Sequence, residues 1–201
     1  MSRMFVAVTP PEAVTQHLEE FLAPRREAAA FRWTLAEQFH LTLAFADSVP
    51  DRAYDEMVDR LAAAAAKRHP VRATVTGGGA FPNVGRAKVL FAGIETDSEE
   101  LERLAAGTRT ALTTAGVPVD GQRFRPHLTL ARIGRPVEAT NWVRLLEAYT
   151  GPSWMIEEVA LVESHLGEGP RRRPRHEVVE TFSLGPAGSA PGRPDAPARG
   201  R

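Results

Sequence analysis

Apolar residues recur along the chain at two spacings, and the change from one to the other predicts its elements. Residues 3–8, Arg-Met-Phe-Val-Ala-Val, form the short continuous apolar run of a buried strand. Thr9, Pro10, Pro11 and Glu12 then read as a capped helix start, with Val14, Leu18, Phe21 and Leu22 on one helical face. Residues 39–45 read as extended and 48–51 as a break. Tyr54, Met57, Val58, Leu61 and Ala65 mark a second amphipathic helix that ends near His69-Pro70. Strands are expected at 71–76 and 88–94, separated by a turn over Gly77-Gly78-Gly79-Ala80-Phe81-Pro82-Asn83. Leu101, Leu104, Ala105, Thr108 and Leu112 place a third helix at 98–115, stopped by Gly116. The second half repeats the logic, with a strand at 124–133, a helix at 141–149 and closing strands at 155–163 and 177–184. Paired late strands suit antiparallel sheets better than a parallel doubly wound one, so the expected class is α+β. Residues 1–184 read as one domain. Residues 185–201, rich in Gly, Pro, Ala and Arg and without a large apolar side chain, read as a disordered tail.

One stretch of this pattern occurs twice. His40-Leu41-Thr42-Leu43-Ala44 recurs as His127-Leu128-Thr129-Leu130-Ala131, and the two copies hold two of only six histidines. On a strand, side chains alternate faces, so each copy presents an imidazole and a hydroxyl on one side and two leucines on the other. If the polar faces meet across a cleft, two histidines and two threonines surround one small site. That set suits phosphoryl chemistry: one imidazole takes a proton, the other gives one, and threonine hydroxyls donate to phosphoryl oxygens. A coupled pair of this kind predicts a bell-shaped pH dependence. Metal ligation is the weaker reading, because no third ligand recurs beside the pair and no H-x-H spacing exists.

Composition narrows the chemistry. The chain has no cysteine, which removes thiolate metal sites, disulfides and cysteine nucleophiles and fits a reducing compartment. Only Lys67 and Lys88 are lysines, and neither sits in a motif for a lysine-adenylylating ligase. Positive and negative residues balance at 25 each, so strong nonspecific binding along nucleic acid is not expected. The balance conceals segregation: Arg123, Arg125, Arg132 and Arg135 flank His127 with no acid between residues 121 and 137, while Glu95, Asp97, Glu99, Glu100 and Glu102 gather at a helix start. There is no signal-peptide pattern and no apolar run of membrane-spanning length. A soluble cytoplasmic monomer is the expectation.

The paired H-L-T-L segments resemble the H-x-T-x signatures of the two-histidine (2H) phosphoesterase superfamily, specifically the RNA 2′,3′-cyclic phosphodiesterases, also called 2′-5′ RNA ligases. The similarity covers residues 3–184 and includes the opening strand, Arg32-Trp33, Gly79-Ala80-Phe81-Pro82 and the segment from Arg125 to Arg132. It implies a bilobal fold: two antiparallel-rich sheets related by a pseudo-twofold axis flank a central cleft, with helices outside. It implies hydrolysis of RNA 2′,3′-cyclic phosphate ends to 2′-phosphomonoesters, with no metal or other cofactor, and 2′-5′ ligation as the reverse reaction. The partner implied is an RNA or oligonucleotide ending in a cyclic phosphate, with no membrane and no obligate protein partner. In roles, the resemblance makes His40 the proton donor and His127 the proton acceptor, with Thr42, Thr129 and Arg132 binding phosphate. Arg132 lies five residues after His127, so strict alternation sends it to the wrong face, and a bulge is needed to bring it round.

Other positions carry open readings. Phe81 either stacks on a base in the cleft or plugs the lobe interface. Two positions depart from the family pattern: Asp47 follows the first motif where a small turn is usual, and His176 stands where an aromatic, commonly tyrosine, is expected. The Gly77-Gly78-Gly79 run lacks the lysine of a P-loop. The basic cluster at 171–175 reads as a solvated loop in preference to a contact for RNA phosphates, His17, His69 and His165 as structural or surface residues, and Trp33, Trp142 and Trp154 as core rather than a base-stacking set. The rival functions are a phosphodiesterase for 2′-5′ oligonucleotides or small cyclic nucleotides, and an RNA-end binding module with little or no chemistry.

Overall fold

The computed structural model describes residues 1–121, 123–169 and 173–186. Its strands are β1 (Ser2–Val8), β2 (Arg32–Trp33), β3 (Leu41–Val49), β4 (Val71–Phe81), β5 (Ala87–Thr96), β6 (His127–Val137), β7 (Thr150–Ile156), β8 (Glu158–His165) and β9 (Arg175–Ser183). Its helices are α1 (Glu12–Leu22), α2 (Tyr54–Ala66), α3 (Glu100–Thr114) and α4 (Thr140–Glu147). The architecture is the expected α+β class. None of the described helices is long and apolar enough to cross a membrane.

All strand pairs among the described residues are antiparallel, in the order β7-β4-β5-β6-β3-β1-β8-β9, with the short β2 added to β6. The two halves, β7-β4-β5-β6 and β3-β1-β8-β9, meet at a single register pair, Leu41 opposite Leu128. That join sits at the pseudo-twofold axis, and the strands bearing the repeated pentapeptide are the two that form it. Away from this one bridge the strands splay, and the two expected sheets become the walls of a groove in one continuous sheet. Helices cover the outer surface: α2 packs on α3 and β9, α3 on β3, α1 on β7, and α4 on β4 and β5. Leu41, Leu128, Leu130, Leu101 and Leu18 are fully buried in one core cluster that joins both halves.

Each copy of the pentapeptide carries a β-bulge at the same place. Between β1 and β3, Val6 pairs with Ala44 but Ala7 pairs with Thr42, so Leu43 is the extra residue. Between β5 and β6, Leu90 pairs with Ala131 but Phe91 pairs with Thr129, so Leu130 is extra. One inserted residue inverts the parity of everything after it. Leu43 and Ala44, like Leu130 and Ala131, are then consecutively buried, and the next residue outward is Phe45 in one copy and Arg132 in the other. The bulge required to turn Arg132 toward His127 is present, and its twin turns Phe45 toward His40.

Several expected boundaries are corrected. The glycine run is not a turn, since β4 continues through it to Phe81. Gly77 adopts φ +62° at a bulge between Val75 and Gly78, a conformation that favours glycine. At Gly78 a Cβ would lie 2.6 Å from the Phe91 carbonyl oxygen and 2.7 Å from Leu146 Cβ of α4, so the missing side chain lets the helix close on the sheet. The strand expected at 155–163 is two strands, β7 and β8, which separate at Glu157 and belong to opposite halves; the adjacent Glu157 and Glu158 interrupt the apolar pattern at that switch. β6 starts at His127 rather than 124 and runs on to Val137. α1 has no side-chain cap from Thr9, and the Pro11 carbonyl accepts from the Val14 and Thr15 amides instead. Of the expected tail, Gly185 and Pro186 rest on Arg68 and His69, and 187–201 lie outside the described residues.

Gly78→Ala is expected to destabilise the protein by roughly 2 kcal/mol or more, because a backbone carbonyl and a packed leucine both stand in the way. Gly134→Ala, with no atom within 4 Å of its Cβ position, is expected to stay within about 0.5 kcal/mol. Urea denaturation of the two variants beside the parent checks the pair, and equal losses would contradict the close-approach role.

Candidate active site

The groove at the join is a cleft of about 370 Å³. His40, Thr42, His127, Thr129 and Arg132 all line it, so five of the six residues singled out from the sequence are brought together. The sixth, Phe81, does not line the cleft. It stacks on Phe91 (ring centroids 4.4 Å apart) and meets the His127 ring edge-on at 5.1 Å, which places it behind the imidazole.

The two histidines are held in the same way. His40 Nδ1 donates to the Gln38 carbonyl at 2.7 Å, and His127 Nδ1 donates to the Arg125 carbonyl at 2.7 Å, in each case two residues upstream. A carbonyl only accepts, so each neutral ring carries its proton on Nδ1 and keeps a lone pair on Nε2. Among the described residues neither Nε2 atom has a protein hydrogen-bond partner, nor has either threonine hydroxyl. Continuing the antiparallel register outward from Leu41–Leu128 sets His40 beside Thr129 and Thr42 beside His127. Each histidine position therefore stands across the join from the threonine position of the other copy.

The surroundings of the two rings differ. Phe5 of β1 stacks on His40 at 4.8 Å, and His176 of β9 meets it edge-on at 5.4 Å. Phe81 and Phe91 meet His127 edge-on, and the Arg125 guanidinium lies over both phenyl rings at 5.4 and 4.8 Å. Desolvation by these aromatic neighbours pushes the His40 pKa down to about 4, against a smaller opposing effect of the Gln38 carbonyl. Repulsion from His176, Arg132 and His127 adds to the lowering. Burial also lowers His127, with Arg125 and Arg132 adding repulsion, and burial lowers His176. Both rings of the pair are thus neutral at neutral pH while the cleft is empty.

The family departures find distinct places. His176 lines the cleft, whereas Asp47 does not; its carboxylate lies 3.6 Å from Arg3 Nε and is largely exposed. Phe45, Phe5, Arg3, Arg32, Trp33 and Arg173 also line the cleft, which corrects the solvated-loop reading for Arg173; none of the six was assigned to the site from the sequence. Phe45 had a signal: it occupies in the first copy the position of Arg132 in the second. Trp33 is both a core residue and part of the cleft wall. Of the basic cluster, Arg171 and Arg172 lie outside the described residues, and Arg175 pairs with Glu168 and Glu177 away from the cleft. His17, His69 and His165 also lie outside it, bonded to Tyr149, bonded to Pro186 and beside Glu177 respectively. No three His, Asp or Glu side chains converge at metal-binding distance among the described residues.

The family model described as the 2′-5′ RNA ligase superfamily matches residues 10–168. A Thermus thermophilus protein named RNA 2′,3′-cyclic phosphodiesterase is 34% identical over 189 residues, covering 90% of both chains. An Aquifex aeolicus protein of the same name is 29% identical over 158 residues, covering 77% of this chain and 82% of its own. Among solved structures, TT0787 of Thermus thermophilus superposes with a TM-score of 0.75 at 32% identity, covering 90% of this chain and 97% of that one. Escherichia coli LigT in its apo form shares the fold, with a TM-score of 0.74 at 22% identity over 92% of this chain and 98% of its own. With the twinned His-Thr strands at the join of its two halves, the chain belongs to the 2′-5′ RNA ligase superfamily and has the 2H phosphoesterase fold.

Proposed function

We propose that the protein hydrolyses RNA 2′,3′-cyclic phosphate ends to 2′-phosphomonoesters without a metal ion, using His40 and His127 as an acid–base pair. One observation carries this reading: two imidazoles with identical backbone anchors share one cleft with two threonines, and among the described residues neither Nε2 nor either threonine hydroxyl has a protein hydrogen-bond partner. The shared name of the Thermus and Aquifex relatives supports the substrate. In the reaction, water oxygen bonds to phosphorus and the bond from phosphorus to the 3′ oxygen breaks. His127 Nε2 takes the proton from water, and His40 Nε2 gives one to the 3′ oxygen. Thr42, Thr129 and Arg132 donate to the non-bridging oxygens, whose negative charge must be stabilised as the bonds change.

Both rings are held neutral at neutral pH, so the acid takes up its proton from solvent as the substrate binds. A phosphodiester anion beside His40 favours its charged form and opposes the effect of burial. The proton therefore enters as binding proceeds.

Three outcomes are expected. A defined RNA ending in a 2′,3′-cyclic phosphate, incubated with EDTA, yields only the 2′-phosphomonoester; a 3′-phosphate product, or dependence on added metal, contradicts the reading. The pH profile of kcat/KM, which reports the free enzyme, is a bell with both limbs below 6.5, one near 4, and the bell for kcat lies at higher pH. An acid limb of kcat/KM above 6.5 would show that the rings are not held neutral. Finally, His40→Ala and His127→Ala each lose about two to four orders of magnitude on the RNA substrate. On a 4-nitrophenyl phosphodiester, whose leaving group departs without a proton, His40→Ala recovers most of its rate and His127→Ala does not. The opposite pattern would exchange their roles.

A further inference from the structure

The two His-Thr pairs and Arg132 account for one phosphate group, yet the cleft holds more positive charge than that group needs. Arg32 of β2 lies directly opposite Arg132 of β6 in the antiparallel register. Like charges directly opposite on neighbouring strands destabilise the pair. Neither guanidinium has a carboxylate partner among the described residues, and both line the cleft. Beside them Arg173 lines the same wall, its Nη1 donating to the Trp33 carbonyl at 2.6 Å. Among the described residues, no Asp or Glu lines the cleft. Three guanidinium groups thus gather on one wall that no described Asp or Glu lines, and the forked donors of Arg32 and Arg132 suit bidentate binding of a phosphate.

A cyclic phosphate carries a single negative charge and lies between the histidines, where Arg132 is the cation close enough to lower both of their pKa values. Arg32 stands on the neighbouring strand β2, across the register pair from Arg132, which places it toward an anionic group farther along the wall. In a polynucleotide the next anion is the phosphate on the 5′ oxygen of the terminal ribose. We propose that Arg32, with Arg173 beside it, is a second phosphate subsite that takes this 5′-phosphate group. The protein then acts on RNA 3′ ends in preference to nucleoside cyclic phosphates that lack a second phosphate. This inference rests on the phosphodiesterase reading above and specifies its substrate.

The test compares three substrates: a nucleoside 2′,3′-cyclic phosphate, the same compound with a 5′-phosphate, and a dinucleotide ending in the cyclic phosphate. The expected kcat/KM rises about tenfold or more on adding the 5′-phosphate alone, with the dinucleotide at least as good. Arg32→Ala and Arg32→Gln are expected to abolish most of that gain while leaving the unphosphorylated nucleoside within about twofold of the parent. Arg32 is exposed, so neither variant removes a core contact. Equal turnover of all three substrates by the parent overturns the subsite. So does a gain confined to the dinucleotide, which would assign it to base or sugar contacts, or a uniform loss in the variants. If no substrate is turned over, the phosphodiesterase reading fails by itself, and the subsite is read by binding. A nucleoside 2′,5′-bisphosphate should then bind more tightly than the 2′-monophosphate, by a margin that Arg32→Ala removes, and equal affinities overturn it.

Discussion

The site depends on one contact, the pairing of Leu41 with Leu128. Among the described residues it is the only register pair between the two halves of the sheet. Both leucines are fully buried, so apolar burial of about 2 kcal/mol or more for each side chain holds the halves together at the point where the polar faces begin. One residue before each leucine stands a histidine, and one residue after stands a threonine. Because the pairing is antiparallel, a single bridge between apolar residues fixes the placement of four polar ones. The backbone adds a second constraint: each imidazole is tied to a carbonyl two residues upstream, which fixes both tautomer and ring orientation before any ligand arrives.

Much of this was legible in the sequence because identity of five residues is a strong signal and period-two alternation is a firm rule. His40, Thr42, His127 and Thr129 followed from the repeat. The requirement for a bulge followed from the position of Arg132, since a residue five positions on cannot share a face without one. The alternation rule still missed the twin bulge at Leu43, because no charged residue stood after it to raise the question. Phe45 was therefore overlooked.

Other misses have specific causes. Glycine marks turns, bulges and close approaches alike, and at Gly78 the deciding fact is the proximity of Leu146, which lies in a different element. Residues 155–163 hold two short apolar stretches parted by Glu157 and Glu158, a break that one strand with two exposed residues also accommodates, and the pairing partners of β7 and β8 decide for two strands. Phe81 is close to His127 in space, but its ring is turned toward Phe91, so it shapes the site from behind. Arg32 and Trp33 lie in a two-residue strand too short for any periodicity to mark.

The twin bulges have one more consequence. A cleft built about a twofold axis has no intrinsic head or tail: rotate it and each histidine takes the other's place. The first residues turned inward beyond the bulges break that equivalence, because one is an aromatic ring and the other a permanent cation. An asymmetric ester entering the cleft would meet on one side the Phe45 ring, with the Arg3 guanidinium 4.6 Å from its centroid, and on the other the Arg132 guanidinium. Any preference for one polarity of a bound chain would then arise at two positions that differ in chemistry while agreeing in backbone.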